Sequence, residues 1–94
     1  MVFYVYVIES ISTKRRYVGQ TGDLKRRLEE HNSTDHNPVK YTTKQAGPWR
    51  LVYQEQYPSR SEAIKREHWL KLRTGRRWLN DKLSDIASPA EMPD

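Results

Sequence analysis

Residues 17–32 have the sequence YVGQTGDLKRRLEEHN, in which a β-prone segment, a glycine-containing turn and an amphipathic helix follow one another. Leu24 and Leu28 are one helical turn apart and define a packing stripe. Arg27 and His31 fall on the same stripe, because residues three, four and seven apart share one helix face. A purely structural helix rarely places an arginine and a histidine there, so both are candidate functional residues.

The residues before this segment predict an antiparallel hairpin. Residues 2–9 are β-branched or aromatic almost throughout, a polar connection follows, and residues 15–20 form the return strand. We expect Tyr6 to lie directly opposite Tyr17, which sets the two phenols side by side on one face. Gly19 stands just before the turn, where close backbone approach or an ordinary strand end equally explains a glycine.

The helix of this segment is predicted to run from about Asp23 to His31, with Thr21 or Asp23 near its cap. Asn32 ends it. The following residues, 33–48, contain proline, glycine and polar side chains with little periodicity, so they predict a long surface loop.

A third strand and a second helix are predicted next. Residues 49–57 alternate apolar and polar side chains, as expected where one face of a sheet meets the core. Ser59 and Glu62 form a capping box that opens a helix. That helix has an apolar stripe formed by Ala63, Ile64 and Leu70, and Glu67 falls on it. Like Arg27 and His31 on the first helix, Glu67 is thus a polar residue where packing would favour an apolar one.

The end of the chain predicts one more helix. Gly75 is expected to end the second helix, and residues 76–87 form a third. We predict a single domain over residues 1–87 and a disordered tail over 88–94. The fold class is α+β, with a small three-stranded antiparallel sheet flanked by helices in the order β-β-α-β-α-α.

The amino-acid composition limits the classes of molecule that the protein is expected to bind. The 94 residues include 17 Lys and Arg against 12 Asp and Glu, a net charge of +5. A small domain this basic attracts polyanions, of which nucleic acid is the commonest. The chain has no cysteine, which excludes disulfides and thiolate chemistry, and no signal peptide or membrane-spanning run is evident. We therefore expect a cytoplasmic protein that does not engage membranes.

The misplaced polar residues allow two interpretations. Glu67 and Arg27 could form a partly buried salt bridge, since a carboxylate on an apolar face needs a partner. Alternatively, Tyr6, Tyr17 and His31 converge with them into a site for phosphodiester hydrolysis. In that site Arg27 holds the phosphate, Glu67 holds a hard divalent cation, and a tyrosine or His31 accepts a proton from water.

These residues resemble the signature of the GIY-YIG endonuclease family over roughly residues 3–80. The matching motifs, in chain order, are Tyr4-Val5-Tyr6, Tyr17-Val18-Gly19, Arg27, His31, Asn32 and Glu67. The chain departs from the pattern at Tyr4, where the first triplet usually has glycine. The resemblance extends to the small single-domain bacterial members, to the excision-repair nuclease and homing endonucleases, and, through Gly47-Pro48-Trp49, to a eukaryotic structure-specific endonuclease subunit.

The resemblance implies a metal-dependent DNA endonuclease for repair or recombination. The arginine and the glutamate would be essential, and the glutamate would be the sole protein ligand of Mg²⁺ or Mn²⁺. The catalytic set would be Tyr6, Tyr17, Arg27, His31 and Glu67, with either tyrosine as general base. Gly19 and Asn32 would have structural roles.

Basic residues surround these motifs and predict a surface for branched, nicked or duplex DNA. They are Lys14, Arg15, Arg16, Lys25, Arg26, Lys40, Lys65, Arg66, Lys71, Arg76 and Arg77. No separate DNA-binding domain is evident, so a protein partner could supply specificity. The alternatives are a non-catalytic nucleic-acid-binding module and an adaptor for an acidic protein. Trp69, Trp78 and Tyr57 could stack on bases or pack in the core.

Overall fold

A three-stranded sheet between two layers of helices forms the protein. The computed structural model describes residues 1–32 and 48–91, with backbone alone for residues 85–91. The elements are β1 (Phe3–Ser10), β2 (Arg16–Thr21), α1 (Leu24–Asn32), β3 (Trp49–Tyr57), α2 (Arg60–Lys71) and α3 (Arg73–Glu91). This order confirms the predicted α+β arrangement β-β-α-β-α-α. None of the described helices has the length and apolar character needed to cross a membrane.

The strand order is β2-β1-β3, with both pairs antiparallel, so β1 is central and β2 is an edge strand. The predicted register is wrong by two residues. Tyr6 lies opposite Gly19, and Tyr17 lies opposite Ile8. Because side chains alternate with a period of two, this shift keeps Tyr6 and Tyr17 on the same face as diagonal neighbours.

The alternation predicted for β3 is also only partly right. The pairing of β1 with β3 shifts between Val7 and Ile8, so that Val7 pairs with Tyr53 and Ile8 pairs with Leu51. One extra residue on β3 sends the two ends of the strand to opposite faces of the sheet. The expectation of a sheet with only one face toward a core therefore fails, because both faces are covered.

Each face of the sheet carries its own apolar cluster. On one face, α1 packs Leu24 and Leu28 against Tyr6, Ile8 and Trp49. On the other face, α2 and α3 pack against the sheet, and the buried members of that cluster are Val5, Val7, Ala63, Leu70 and Leu79. The stripe predicted on α1 is thus confirmed, and of the apolar residues predicted on α2, Ala63 and Leu70 lie in the core on the opposite side of the sheet.

The helix starts follow the sequence signals. Asp23 caps α1, since its carboxylate accepts a hydrogen bond from the Arg26 backbone amide at 3.1 Å. The hydroxyl of Ser59 accepts the Glu62 amide at 3.3 Å and donates to the Glu62 carboxylate at 3.0 Å. Ser59 is therefore confirmed as the N-cap of α2, and the Glu62 carboxylate accepts a hydrogen bond from its hydroxyl rather than from its backbone amide.

The boundary between the last two helices differs from the prediction. α2 ends at Lys71, and Gly75 lies inside the first turn of α3 rather than at the end of α2. A Cβ at Gly75 would overlap the backbone of Trp69 and would lie 2.7 Å from the Leu70 Cα, so glycine permits the close approach of the two helices. α3 continues to Glu91, beyond the predicted end at residue 87 and into the segment predicted to be disordered; residues 92–94 lie outside the described residues.

Candidate active site

Three aromatic side chains form the centre of the candidate site. Tyr6 is fully buried, and its phenol oxygen lies 2.8 Å from Nε2 of His31. Tyr17 stands beside both: its ring centre is 5.0 Å from that of His31, in an edge-on contact, and 6.5 Å from that of Tyr6. The β1–β2 pairing and the α1 stripe thus bring together the two tyrosines and the histidine that the sequence singled out.

Gly19 makes this arrangement possible. It lies on β2 directly opposite Tyr6, and a Cβ there would come within 2.5 Å of the Tyr6 phenol oxygen. The Tyr6 ring lies over the glycine and reaches His31 at the C-terminal end of α1. Of the two explanations for Gly19, close approach is the one that the structure supports.

Burial changes the protonation chemistry of this cluster. Burial is the largest cause of the raised pKa of Tyr6. The neighbouring Tyr17 raises this pKa further, whereas Arg27 lowers it. Burial likewise lowers the pKa of His31 to about 4, and the positive charge of Arg27 adds to the effect. At neutral pH Tyr6 therefore keeps its proton and His31 is an uncharged imidazole.

Arg27 and Glu67 are paired, but not with each other. The Arg27 guanidinium lies 3.1 Å from Glu30 on the same helix, and its side chain is 37% exposed. The Glu67 carboxylate lies 2.8 Å from the Lys71 ammonium one turn along α2, and its side chain is 15% exposed. The interpretation of a direct Arg27–Glu67 salt bridge is wrong, because each residue finds its counterion on its own helix.

The charge of Glu67 acts on the aromatic cluster from the other helical layer. At one end of α2, Arg60 donates a hydrogen bond to Gln20 of β2 at 3.1 Å. At the other end, Lys71 shares a groove with Tyr17. Glu67 lies between these two points, and its negative charge contributes to the raised pKa of Tyr6. Arg27 and Glu30 of α1 line a common pocket with Arg60 of α2 at the end of β2, so the two helices present polar residues to the same place there.

An open groove of about 860 Å³ adjoins Tyr17, and we call it the basic groove. Val18, Leu70 and Leu79 form its apolar part, and Asn80 also lines it. Arg16 donates a hydrogen bond to Asn80 at 2.5 Å and so links β2 with α3. Among the residues that the structure describes, no carboxylate lines the groove; its basic residues are Lys14, Arg15, Arg16, Lys71 and Arg76.

The comparison with protein families agrees with this geometry. The model of the GIY-YIG catalytic domain matches residues 2–80. The chain belongs to the GIY-YIG family. This membership, together with similarity to a curated endonuclease subunit, supports nuclease activity.

Relatives of this GIY-YIG chain include both small proteins and a larger one. The UPF0213 protein of Haloquadratum walsbyi is 38% identical over 92% of this chain and 94% of its own length. The structure-specific endonuclease subunit SLX1 of Candida dubliniensis is 43% identical over 73% of this chain, which is 26% of that subunit. The solution structure of the UPF0213 protein BH0048 from Bacillus halodurans is 32% identical, covers 86% of this chain and 84% of its own, and superposes with a TM-score of 0.51.

The donor set of this GIY-YIG domain suits a cation with few protein ligands. Within the described residues, no three His, Asp or Glu side chains cluster as a metal cage would require. Glu67 offers one partly exposed carboxylate at the site. Mg²⁺ is commonly held by one or two carboxylates, with water and phosphate oxygens completing the octahedron. Glu67 therefore fits such an ion as its single protein ligand.

Arg66, predicted to bind nucleic acid, lies on the opposite face of the sheet. Its guanidinium donates two hydrogen bonds of 2.9 Å to the Glu55 carboxylate. It also lies 4.6 Å from the ring centres of both Trp69 and Trp78. These contacts occupy the side chain within the fold, so we do not include Arg66 in a nucleic-acid surface. The two tryptophans pack edge-on at 5.9 Å, which supports their role in the core.

Glu55 is a residue that the sequence reasoning missed. Tyr53 and Tyr57 donate hydrogen bonds to it at 2.6 and 2.7 Å, in addition to those from Arg66. Burial alone would raise its pKa, but these hydrogen bonds outweigh burial and lower the pKa. The spacing of Glu55 two residues from each tyrosine is the signal that could have revealed it, since all three share a strand face.

The remaining predicted residues are placed as follows. The side-chain amide of Asn32 both donates to the carbonyl and accepts from the amide of Trp49, at 3.0 and 2.7 Å, so it joins the end of α1 to the start of β3. Arg26 lies 3.3 Å from Glu30 and is largely exposed. Lys40 lies outside the described residues. The other predicted basic residues away from the groove are exposed, namely Lys25, Lys65 and Arg77.

Proposed function

We propose that this chain is a metal-dependent DNA endonuclease that hydrolyses phosphodiester bonds. The observation that carries the proposal is that Tyr17, Arg27 and Glu67 all act electrostatically on the buried Tyr6 phenol, and that Tyr17 also lines the basic groove. Such hydrolysis needs an activated water, a group that holds the phosphate, and positive charge for the transition state. The site contains residues for each task.

The two tyrosines have different tasks in this proposal. Tyr6 is fully buried and hydrogen-bonded to His31, so it holds the imidazole in place and does not meet the substrate. Tyr17 is half-buried and lines the basic groove, so it is the tyrosine that a phosphate in the groove can reach. Tyr17 is therefore the residue that contacts the attacking water, and in its phenolate form it accepts the proton of that water, with the Tyr6–His31 pair packed behind it.

Arg27 and Glu67 act on the phosphate from the two helices. Arg27 is partly exposed, contacts Glu30 through Nε and interacts with the Tyr6 hydroxyl, and we assign its planar fork to the phosphate oxygens. Glu67 is the residue that holds Mg²⁺ or Mn²⁺. The bound ion supplies charge neutralisation at the phosphate and a more acidic water.

The proposed substrate is DNA with a branch, flap or nick, cut with structure selectivity or weak sequence preference during repair or recombination. The support is the basic groove beside the site and the similarity to a structure-specific endonuclease subunit. That relative is a subunit by name, so a protein partner that supplies specificity belongs to the proposal. A cytoplasmic location is also part of it.

A cleavage assay on a panel of DNA substrates tests this function. The panel contains labelled duplex, nicked, flap and four-way-junction DNA, each incubated with the full chain and Mg²⁺, Mn²⁺ or a chelator. We expect metal-dependent cuts near the branch or nick. Glu67→Gln and Arg27→Ala should each lower the rate by about 10³-fold, in the range found when a charge-stabilising group is removed.

Glu29→Gln is the matched control, because it removes a carboxylate from an exposed position on α1 away from the site. Its cleavage rate should equal that of the unaltered chain. Activity that survives both site substitutions would overturn the proposal. Salt-sensitive binding to DNA with no cleavage of any substrate would instead favour the non-catalytic binding module.

A further inference from the structure

Lys71 belongs to two sites at once. Its ammonium is 2.8 Å from Oε2 of Glu67, and its side chain also lines the basic groove with Tyr17 and Arg15. The side chain is 46% exposed, whereas that of Glu67 is 15% exposed. The lysine therefore lies between the carboxylate proposed to hold a cation and the surface proposed to hold phosphates.

The Lys71 ammonium and a metal ion compete for the same oxygen atoms. Two positive charges a few ångströms apart repel each other strongly where water is partly excluded. A cation that binds Glu67 therefore favours departure of the ammonium. The pair is easily broken, because a Glu–Lys pair four residues apart on a helix stabilises the fold only slightly.

The groove offers the displaced ammonium a new partner. A lysine carries its charge on a flexible four-carbon stem, so it can turn from Glu67 to a phosphate without movement of the backbone. Around it stand Arg15, Arg16 and Arg76, which also repel an unpaired ammonium unless an anion is present. A DNA phosphate in the groove meets that need.

We propose that Lys71 is a positioning residue that exchanges partners: it holds the Glu67 carboxylate in place before the cation binds, and contacts a substrate phosphate afterwards. This inference rests on the proposed function, since it assumes that Glu67 holds the cation. Metal and DNA then strengthen each other's binding, because each draws one member of the Glu67–Lys71 pair away from the other. Such coupling is reciprocal by thermodynamic linkage.

NMR of the side chains tests the exchange without cleavage. The full chain, labelled with ¹³C and ¹⁵N, is titrated with Mg²⁺ while the Glu67 carboxyl carbon and the lysine Nζ signals are followed. We expect the Glu67 and Lys71 signals to move together. The Lys82 signal should stay constant, because Lys82 lies on α3 against Trp78, away from the groove. Glu67→Gln should abolish the Lys71 response.

Two failures are distinguishable in this titration. If the Glu67 carbon moves while the Lys71 nitrogen does not, the cation binds without displacing the lysine and the exchange is wrong, although the proposed function stands. If the Glu67 carbon does not move, Glu67 does not bind the cation, and the proposed function fails together with the exchange.

The salt dependence of DNA binding tests the second half of the exchange. Affinity for a flap DNA is measured at several salt concentrations with Ca²⁺, with a gel to check that the DNA stays intact, and again with a chelator. With the cation, Lys71→Met should reduce the log–log salt slope by about 1, the contribution of one phosphate contact. With the chelator, Lys71→Met should leave the slope unchanged, since Glu67 then holds the lysine.

Lys82→Met is the matched control and should leave both slopes unchanged. An equal loss of slope with and without the cation would show a permanent phosphate contact and overturn the exchange. No loss in either condition would overturn it as well, because Lys71 would then contact no phosphate.

Discussion

The two faces of the sheet each carry tyrosines beside charged or titratable groups, yet they differ in one respect. On the α2 and α3 face, Glu55 receives hydrogen bonds from Tyr53, Tyr57 and Arg66, and all four groups satisfy one another. Tyr17 lies on the other face, and at the adjoining edge of β2 it lines an open groove that residues of α2 and α3 complete. The first we call the closed cluster; the second, with Tyr6, His31, Arg27 and Glu67, the open cluster.

The comparison shows that perturbed ionisation alone does not mark an active site. Burial raises the pKa of Tyr53 and of Tyr57 to about 12, and the pKa of Tyr6 is also raised. The two clusters differ in which structural elements their ion pairs join. The closed cluster uses its bidentate Arg–Glu pair to join β3 to α2, whereas the counterions of Arg27 and Glu67 lie on their own helices and can be replaced. The closed cluster should therefore govern stability and the open cluster activity.

The largest effect on stability is expected from Glu55→Gln. This change removes the negative charge that balances Arg66, which lies between two tryptophans, and weakens two tyrosine hydrogen bonds. Removing one partner of a largely buried pair costs about 3 kcal/mol. Urea unfolding of the unaltered chain and the variant measures the difference. Glu29→Gln is the control, and an effect of Glu55→Gln no larger than that of the control would contradict the structural role of the closed cluster.

A smaller loss of folding stability is expected when the pH is lowered until His31 becomes protonated. The pKa of His31 is lowered to about 4 by burial and by the charge of Arg27, whereas the unfolded chain binds this proton below about 6.5. The unfolded state thus holds more protons between pH 4 and 6.5, so stability is lost as the pH falls through that window. Between pH 6.5 and pH 4 the loss from this group should be about 2 to 3 kcal/mol.

Urea unfolding at a series of pH values checks this expectation. The unaltered chain should lose stability steeply from pH 6.5 to 4, and His31→Gln should show a shallower decline over the same range. Acidic groups contribute equally to both chains, so the difference belongs to His31. Parallel curves for the two proteins would mean that His31 does not stay neutral in the fold.

The smallest of these effects is expected from Gly19→Ala. The added methyl group would lie 2.7 Å from Cζ of Tyr6, whose ring is fully buried and hydrogen-bonded to His31. Such overpacking costs about 1 to 2 kcal/mol, and it should also lower cleavage by displacing the ring. Gly22→Ala is the control, because its new Cβ meets Phe3 at an ordinary 3.5 Å. Equal melting temperatures for the two variants would show that Tyr6 moves aside at no cost.

Most of the elements could be predicted from the sequence because local signals and hydrophobic spacing agree. Ser59 and Glu62 cap a helix whatever surrounds it, and Leu24 and Leu28 define a face of α1 by spacing alone. The placement of Tyr6 and Tyr17 on one face also survived an error of two residues in register. That error left the parity of the strand unchanged, and parity decides the face.

The details that failed depend on contacts between distant parts of the chain. The extra residue in β3 opposite Val7 and Ile8 leaves no local signal, and it alone sends Trp49 and Tyr53 to different faces. Gly75 resembles a helix end in sequence, but the packing of α2 against α3 decides its place. The partners of Arg66 and Glu67 are likewise chosen by geometry, since several residues of opposite charge are equal candidates for each in the sequence.

The central claim is that the closed cluster governs stability and the open cluster governs activity. Single-turnover cleavage of flap DNA by Glu67→Gln and Glu55→Gln tests it most directly, at a temperature where circular dichroism shows both variants to be folded. We predict that Glu67→Gln loses about 10³-fold in rate and keeps its melting temperature within a few degrees. Glu55→Gln should melt lower and cleave within about threefold of the unaltered chain. Normal cleavage by Glu67→Gln, or an equal loss by folded Glu55→Gln, would contradict the account.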